Sequence, residues 1–424
     1  MRLIYIFTVI FFLMSCGKVN KKEFLYDFSF EQLENKDCIS IDEKSIYTDE
    51  SEFGYDLNTV QNSKDPFFFS VDLPEGSYLV HLTLGNGDKP TNTTVKAESR
   101  RLMLENIQTE KGEFVTQTIA VNIRNTKIGG QDSVRIKPRE IGKLIWDNKL
   151  TLEFNGITPS VTRLQIEKAD DLPTIFLAGN STVVDEANEP WCGWGQMFPR
   201  FFKPNIVVAN YAESGEAANS FVSSKRLAKL LTKMKEGDYL FIEFGHNDQK
   251  QKGEGKGPFT SYKTNLKFLV DEAKKKGGFP ILVTPMHRRR FDEKGKVINT
   301  HGEYPDAMRM LAEEEGVPLI DLNAMSADLY EAWGVDGSKK AFVHFPAGTF
   351  PNQEKDLADN THFNPYGGYQ IAKCILKGIQ DNNLPLKAYI KDDFKSYDPK
   401  KPDSFDSFTV PSSPFTSLIK PDGN

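Results

Sequence analysis

The sequence predicts an α/β fold, with a parallel sheet covered by helices on both faces, preceded by an all-β sandwich. Three observations predict it. Residues 174–378 alternate short apolar runs with segments of helical spacing. Residues 24–168 hold short alternating runs separated by turn clusters, without a helical period. The rhythm changes between them, at Ala169-Asp170-Asp171-Leu172-Pro173. Strands that alternate with helices build parallel sheets, whereas strands separated by tight turns build sandwiches.

The 424 residues suit two or three domains at about 100–200 residues each. With 53 basic against 59 acidic side chains and no basic run longer than three, nothing resembles the basic face of a nucleic-acid binder. A content of 31 Phe excludes a disordered chain. Four Cys without a Cys-x-x-Cys, and no His-rich cluster, suggest neither a disulfide framework nor a metal. No cofactor is expected, and a monomer is.

Taken in order, the first residues stand apart. Met1-Arg2 is followed by an apolar run from Leu3 to Met14, too short to cross about 30 Å of hydrocarbon as a helix. This is the pattern of a secretory signal. The run ends Leu13-Met14-Ser15-Cys16-Gly17, which resembles a bacterial lipobox with Cys16 as the acylated residue. Residues 1–15 are expected to be removed and 16–23 to be a linker. The mature chain would then be held by lipid to a bacterial membrane, outside the cytoplasm. Cys38, Cys192 and Cys374 can form at most one pair and read as small buried hydrophobes.

Residues 67–73, 78–85, 115–123, 150–154 and 161–168 are rich in Val, Ile, Phe, Tyr and Thr, and turn clusters such as Gly-Asn-Gly-Asp separate them. They read as the strands of a sandwich over 24–168, similar to the jelly-roll modules attached to carbohydrate-active enzymes. Such a module binds sugar or serves as a spacer; both readings stand. Residues 172–390 then give strands at 174–178, 206–210, 239–244, 280–284 and 317–321. Helices are expected at 194–202, 220–234, 262–276, 305–315 and 364–378, and 391–424 reads as an extended arm.

Binding sites of such sheets lie beyond the carboxyl ends of the strands. Gly179-Asn180-Ser181-Thr182 follows the first strand, Asn210-Tyr211-Ala212-Glu213-Ser214-Gly215 the second, and Gly245-His246-Asn247-Asp248 the third. Asp359-Asn360-Thr361-His362 precedes the last helix. One sheet edge thus holds a Ser, a His three residues from an Asp, and two candidate oxyanion donors, the parts of nucleophilic acyl transfer. There is no Gly-x-Ser-x-Gly elbow.

These blocks resemble the SGNH (GDSL-type) hydrolases, and within them the rhamnogalacturonan acetylesterases, over about residues 174–379. The resemblance implies a flavodoxin-like α/β/α sandwich. It also implies Ser181 as nucleophile, His362 as base and Asp359 as its orienting carboxylate. The amides of Ser181 and Gly215 and the side chain of Asn247 would form the oxyanion hole. Asn180 stands where the family usually has Asp. The implied activity is removal of O-acetyl groups from a plant polysaccharide such as rhamnogalacturonan. Xylan, sialate or lipid esters are alternatives, as is a non-catalytic glycan-binding lipoprotein.

The fourth strand runs into His287-Arg288-Arg289-Arg290. Guanidinium groups there would suit uronate carboxylates of an acetylated pectic chain; a solvated basic loop is the other reading. Trp191 and Trp194 would stack on sugars or pack in the core. His246 and His344 read as structural or rim residues.

Overall fold

Five apolar runs form one parallel sheet: β1 (Thr174–Gly179), β2 (Val207–Asn210), β3 (Tyr239–Glu243), β4 (Phe279–Val283) and β5 (Leu319–Ile320), in the spatial order β2-β1-β3-β4-β5. The computed structural model describes residues 23–28, 38–62 and 64–421. The signal segment and Cys16 lie outside them. Strand side chains alternate between faces. Ile175, Leu177, Phe241 and Ile281 enter one core, while Phe176, Ala178, Leu240 and Leu282 enter another. Both faces are covered, which is why these strands read as unbroken apolar runs. Helices α1 (Trp194–Met197), α6 (Leu322–Gly337) and α7 (Pro365–Asp381) cover the first face. Helices α2 (Ala218–Ser223), α3 (Arg226–Leu231), α4 (Lys263–Lys275) and α5 (Tyr304–Glu315) cover the second.

Several local expectations are corrected. The helix expected over 220–234 is two, because Lys225 between them adopts a left-handed φ of 65°. The helix expected over 194–202 is one α turn followed by a 3-10 turn, Phe198–Phe201, that contains Pro199. Helix α6, broken at Gly334 (φ 74°), was not expected. Nor was the hairpin of β6 (Phe342–Phe345) and β7 (Leu357–Phe363), which places Asp359 and His362 on a strand, not a loop.

Among the described residues the N-terminal region holds two five-stranded sheets, antiparallel but for one short pair, and a small hairpin of Lys127–Gly129 and Asp132–Ser133. One is ordered Ile39–Ser40, Glu23–Asp27, Val161–Lys168, Gly76–Gly85, Phe114–Ile123. The other is ordered Phe53–Asp56, Phe67–Asp72, Lys149–Thr158, Thr91–Ala97, Arg101–Thr109. Tyr26, Val80, Leu82 and Ile166 of the first meet Phe67, Phe69, Val95 and Phe154 of the second in a shared core. Cys192 and Cys374 are buried free thiols; Cys38 is only partly covered.

The sandwich meets the α/β body through buried charge. Arg101 Nε lies 2.9 Å from Asp185 Oδ2, Arg100 Nη2 2.5 Å from Glu189 Oε1, and Arg226 Nη2 2.5 Å from Glu140 Oε2. Beyond α7 the chain runs as an arm over this junction. Lys96 Nζ donates to Pro411 O (2.7 Å) and Ser413 Oγ bonds Glu153 (2.7 Å). Ser417 N then donates to Glu189 O (2.8 Å).

Candidate active site

The carboxyl ends of β1 and β3 lie side by side, with Gly179 paired to Glu243, so the chains leaving both strands border one crevice. Ser181, two residues past β1, is 3% exposed, and its Oγ lies 3.1 Å from His362 Nε2. His362 Nδ1 lies 2.8 Å from Asp359 Oδ2. The other Asp359 oxygen accepts the amides of Thr361 (2.7 Å) and His362 (2.9 Å). Burial acts to raise the Asp359 pKa. The hydrogen bond and charge of His362, with these two amides, outweigh it and hold the carboxyl well below the usual carboxylate range. An ionised carboxylate only accepts, so Nδ1 carries the imidazole proton and Nε2 faces Ser181 as the acceptor.

Gly215 has φ 81°, a backbone state that favours glycine. The preceding carbonyl, Ser214 O, accepts a hydrogen bond from Lys137 Nζ, which comes from the N-terminal region. In a trans peptide the N–H points opposite to the C=O. The Gly215 N–H therefore points away from Lys137. Asn247 Nδ2 donates to Glu216 O (3.0 Å), which uses one of its two hydrogens. Asp248 joins the two loops, accepting the amides of Gly245 (2.9 Å) and Ala218 (2.9 Å), and burial pushes its pKa up to about 6.

Behind the loop that carries Ser181 stands Glu243, fully buried. Trp194 Nε1 donates to its Oε2 (2.6 Å), and Thr182 Oγ1 lies 2.9 Å from its Oε1. The same Thr182 hydroxyl is 2.9 Å from Asn180 Oδ1, whose identity as oxygen is fixed by the Thr182 amide donating to it (3.0 Å). One hydroxyl hydrogen cannot serve two acceptors. A protonated Glu243 would resolve the conflict by donating to Thr182 Oγ1, which would then donate to Asn180. Burial raises the Glu243 pKa to about 7, against weaker opposition from the Trp194 and Thr182 hydrogen bonds.

The residues expected to touch substrate divide. Trp194 is completely buried on Glu243 and takes the core alternative. Trp191 is also buried; its ring and the His362 ring stand perpendicular with centroids 5.5 Å apart, and its Nε1 donates to Ser417 O of the arm (2.8 Å). Neither is an open stacking wall, because the arm and the β3 carboxyl occupy their polar edges. Arg289 is turned inward: Nε donates to Ser338 Oγ (2.9 Å) and Nη1 to Asn360 Oδ1 (2.9 Å), so it braces the strand that carries Asp359. Arg290 is exposed. Arg288 is half-buried, with Nη2 donating to His246 O (3.2 Å). His287 is buried, which lowers its pKa to about 4, and the His246 and His301 rings behind it meet at 4.4 Å. His344 Nε2 bonds Asn360 Oδ1 (2.9 Å) at the rim. Among the described residues no group of His, Cys, Asp or Glu is arranged to hold a metal ion.

Residues 177–370 match the model of the GDSL-like Lipase/Acylhydrolase family. Rhamnogalacturonan acetylesterase RhgT of Bacillus subtilis (strain 168) is 44% identical over 218 residues, which are 51% of this chain and 93% of that protein. The chain belongs to the GDSL-like lipase/acylhydrolase family. It is an esterase. A second B. subtilis (strain 168) protein, "Probable rhamnogalacturonan acetylesterase YesY", is 36% identical over 50% of this chain and 94% of its own. "Uncharacterized esterase YxiM" of the same organism is 28% identical over 317 residues, 72% of this chain and 74% of that one. Within this GDSL-type hydrolase the signals for Lys137, Glu243 and Asp248 are weak in sequence. Lys137 belongs to no motif, and Glu243 hides at the end of an apolar strand.

Proposed function

We propose that this esterase removes O-acetyl groups from a pectic polysaccharide, acetylated rhamnogalacturonan, through an acetyl-serine intermediate. The observation that carries the reading is the alignment of Ser181 Oγ, His362 and Asp359 at 3.1 and 2.8 Å in the crevice between β1 and β3. Ser181 Oγ attacks the acetyl carbonyl as its proton passes to His362 Nε2. The charge on the carbonyl oxygen is met by the amides of Ser181 and Gly215 and by Asn247 Nδ2, each such donor worth about 10²–10³ in rate. His362 then protonates the departing sugar oxygen, and water, deprotonated by the same imidazole, releases acetate. Asp359 holds the ring and stabilises its charged form.

The pectic substrate is supported by the 44% identity to RhgT over nearly all of that protein. Acetate release should be measured on acetylated rhamnogalacturonan, acetylated xylan, an acetylated sialate and an aryl acetate. The largest kcat/KM among the glycans is expected on rhamnogalacturonan; a larger value on xylan or sialate refutes the assignment. We also place the mature chain outside the cytoplasm, held by lipid on Cys16, on the strength of Leu13-Met14-Ser15-Cys16-Gly17.

A further inference from the structure

Three cations converge beside the reacting groups, and residues that border the crevice hold each of them. Lys250 Nζ donates to Asn247 Oδ1 (3.1 Å), and Arg288 Nη2 to His246 O (3.2 Å). Lys420 Nζ lies 3.3 Å from Asp359 Oδ2, the oxygen already bonded to His362. The arm delivers Lys420. Glu189 N donates to Phe415 O and Ser417 N to Glu189 O, both at 2.8 Å, so the arm is laced to the loop past the nucleophile until three residues before the lysine. The Lys420 side chain is 48% exposed, and so is free to move between partners.

This grouping is unfavourable by itself. Burial, then the charges of Arg288 and Lys420, lower the Lys250 pKa to about 8. Among the described residues no ion pair gives Lys250 or Arg288 a carboxylate, and Lys420 has only the one that the triad uses. Like charges held together beside a reacting centre are relieved by an anion that arrives with the substrate. The half-buried guanidinium of Arg288, whose Nη1 and Nη2 already reach the side-chain oxygen of Gln249, keeps its charge unpaired by any carboxylate among the described residues and offers a substrate carboxylate its remaining N–H groups.

We propose that Arg288, Lys250 and Lys420 form a subsite for a uronate carboxylate of the polysaccharide, with the C-terminal arm supplying the third cation. The proposal rests on the pectic reading above. On binding, Lys420 exchanges Asp359 for the substrate carboxylate and leaves Oδ2 to His362 alone, so recognition and the readiness of the triad are linked.

The test uses the full chain, with Lys420→Met and Arg288→Gln. kcat/KM is measured on acetylated rhamnogalacturonan and on the same polymer with its uronate carboxyls reduced to alcohols. The wild type should prefer the carboxylated polymer, less so as salt rises. That preference should fall about fivefold in Lys420→Met, where water screens the charge, and about tenfold in Arg288→Gln, through KM. Variants that lower both polymers equally overturn the subsite. Galacturonate oligomers should also inhibit aryl acetate turnover competitively in the wild type and several-fold more weakly in both variants. Equal inhibition overturns the subsite whether or not either polymer is turned over, which separates its failure from that of the pectic reading.

Discussion

Glu243→Gln should stabilise this esterase at alkaline pH and leave its activity in place. In the folded chain the carboxyl titrates at about 7 instead of 4.5, because it is wholly buried. A group whose folded pKa is raised contributes stability that is complete below the unfolded pKa and is lost as pH climbs to the folded one. For Glu243 that window is about pH 4.5 to 7. At about 1.4 kcal/mol per pH unit, the loss is about 3 kcal/mol. Glutamine cannot ionise, and its amide can donate to Thr182 Oγ1 while its oxygen accepts from Trp194, reproducing both contacts of the protonated acid. Urea unfolding of wild type and variant at pH 5, 6, 7 and 8, followed by tryptophan fluorescence, measures the difference. The two should be close at pH 5 and diverge to about 3 kcal/mol in favour of the variant by pH 8. Parallel pH dependences, or a variant weaker throughout, would show that Glu243 is ionised and that the relay through Thr182 to Asn180 is wrong.

Three further outcomes are expected. Ser181→Ala should reduce acetate release from an aryl acetate by several orders of magnitude without changing the melting temperature, and Asp359→Asn should cost less than His362→Ala; a Ser181→Ala enzyme with a tenth of wild-type turnover removes it as nucleophile. Lys137→Met should lower kcat about tenfold with KM little changed, and Lys137→Arg should restore most of it, since the Gly215 amide is aimed by a donor on Ser214 O; a change confined to KM or to stability refutes the positioning role. Expressed in a bacterium, the chain should partition into detergent with acyl mass on Cys16, and Cys16→Ser should release it; wild-type protein found soluble with an unmodified N-terminus speaks against the anchor.

Much of the site was legible because the α/β rhythm places every strand's carboxyl end on one edge. Ser181, Gly215 and Asn247 each follow an apolar run by a few residues, so period alone brings them together. His362 was legible from its Asp three residues earlier, but not its strand, since Leu357–Phe363 pairs with a segment that lacks an apolar alternation. Thr91–Ala97 was missed for a related reason. Its Thr93, Thr94 and Lys96 are buried polar residues, and Lys96 is satisfied by Glu153 and the arm, partners that no local pattern reveals. Trp194 as a core residue required knowing that a carboxyl waited at the end of β3. The arginine run was legible as a place but not as three separate fates: Arg289 turned inward because Ser338 and Asn360 receive it, while Arg288 remained at the crevice.

The grip of Lys137 on Ser214 O bears on how such proteins can be recombined. An add-on module joined by a linker can be exchanged between enzymes by a single crossover, and each half keeps working. Here a crossover near residue 171 would strip the Ser214–Gly215 peptide of its Lys137 contact and take Glu140 from Arg226 and Arg139 from Glu213. Grafting the sandwich onto a relative, or paring it away to make a smaller catalyst, therefore breaks contacts that the hydrolase body itself relies on rather than a tether.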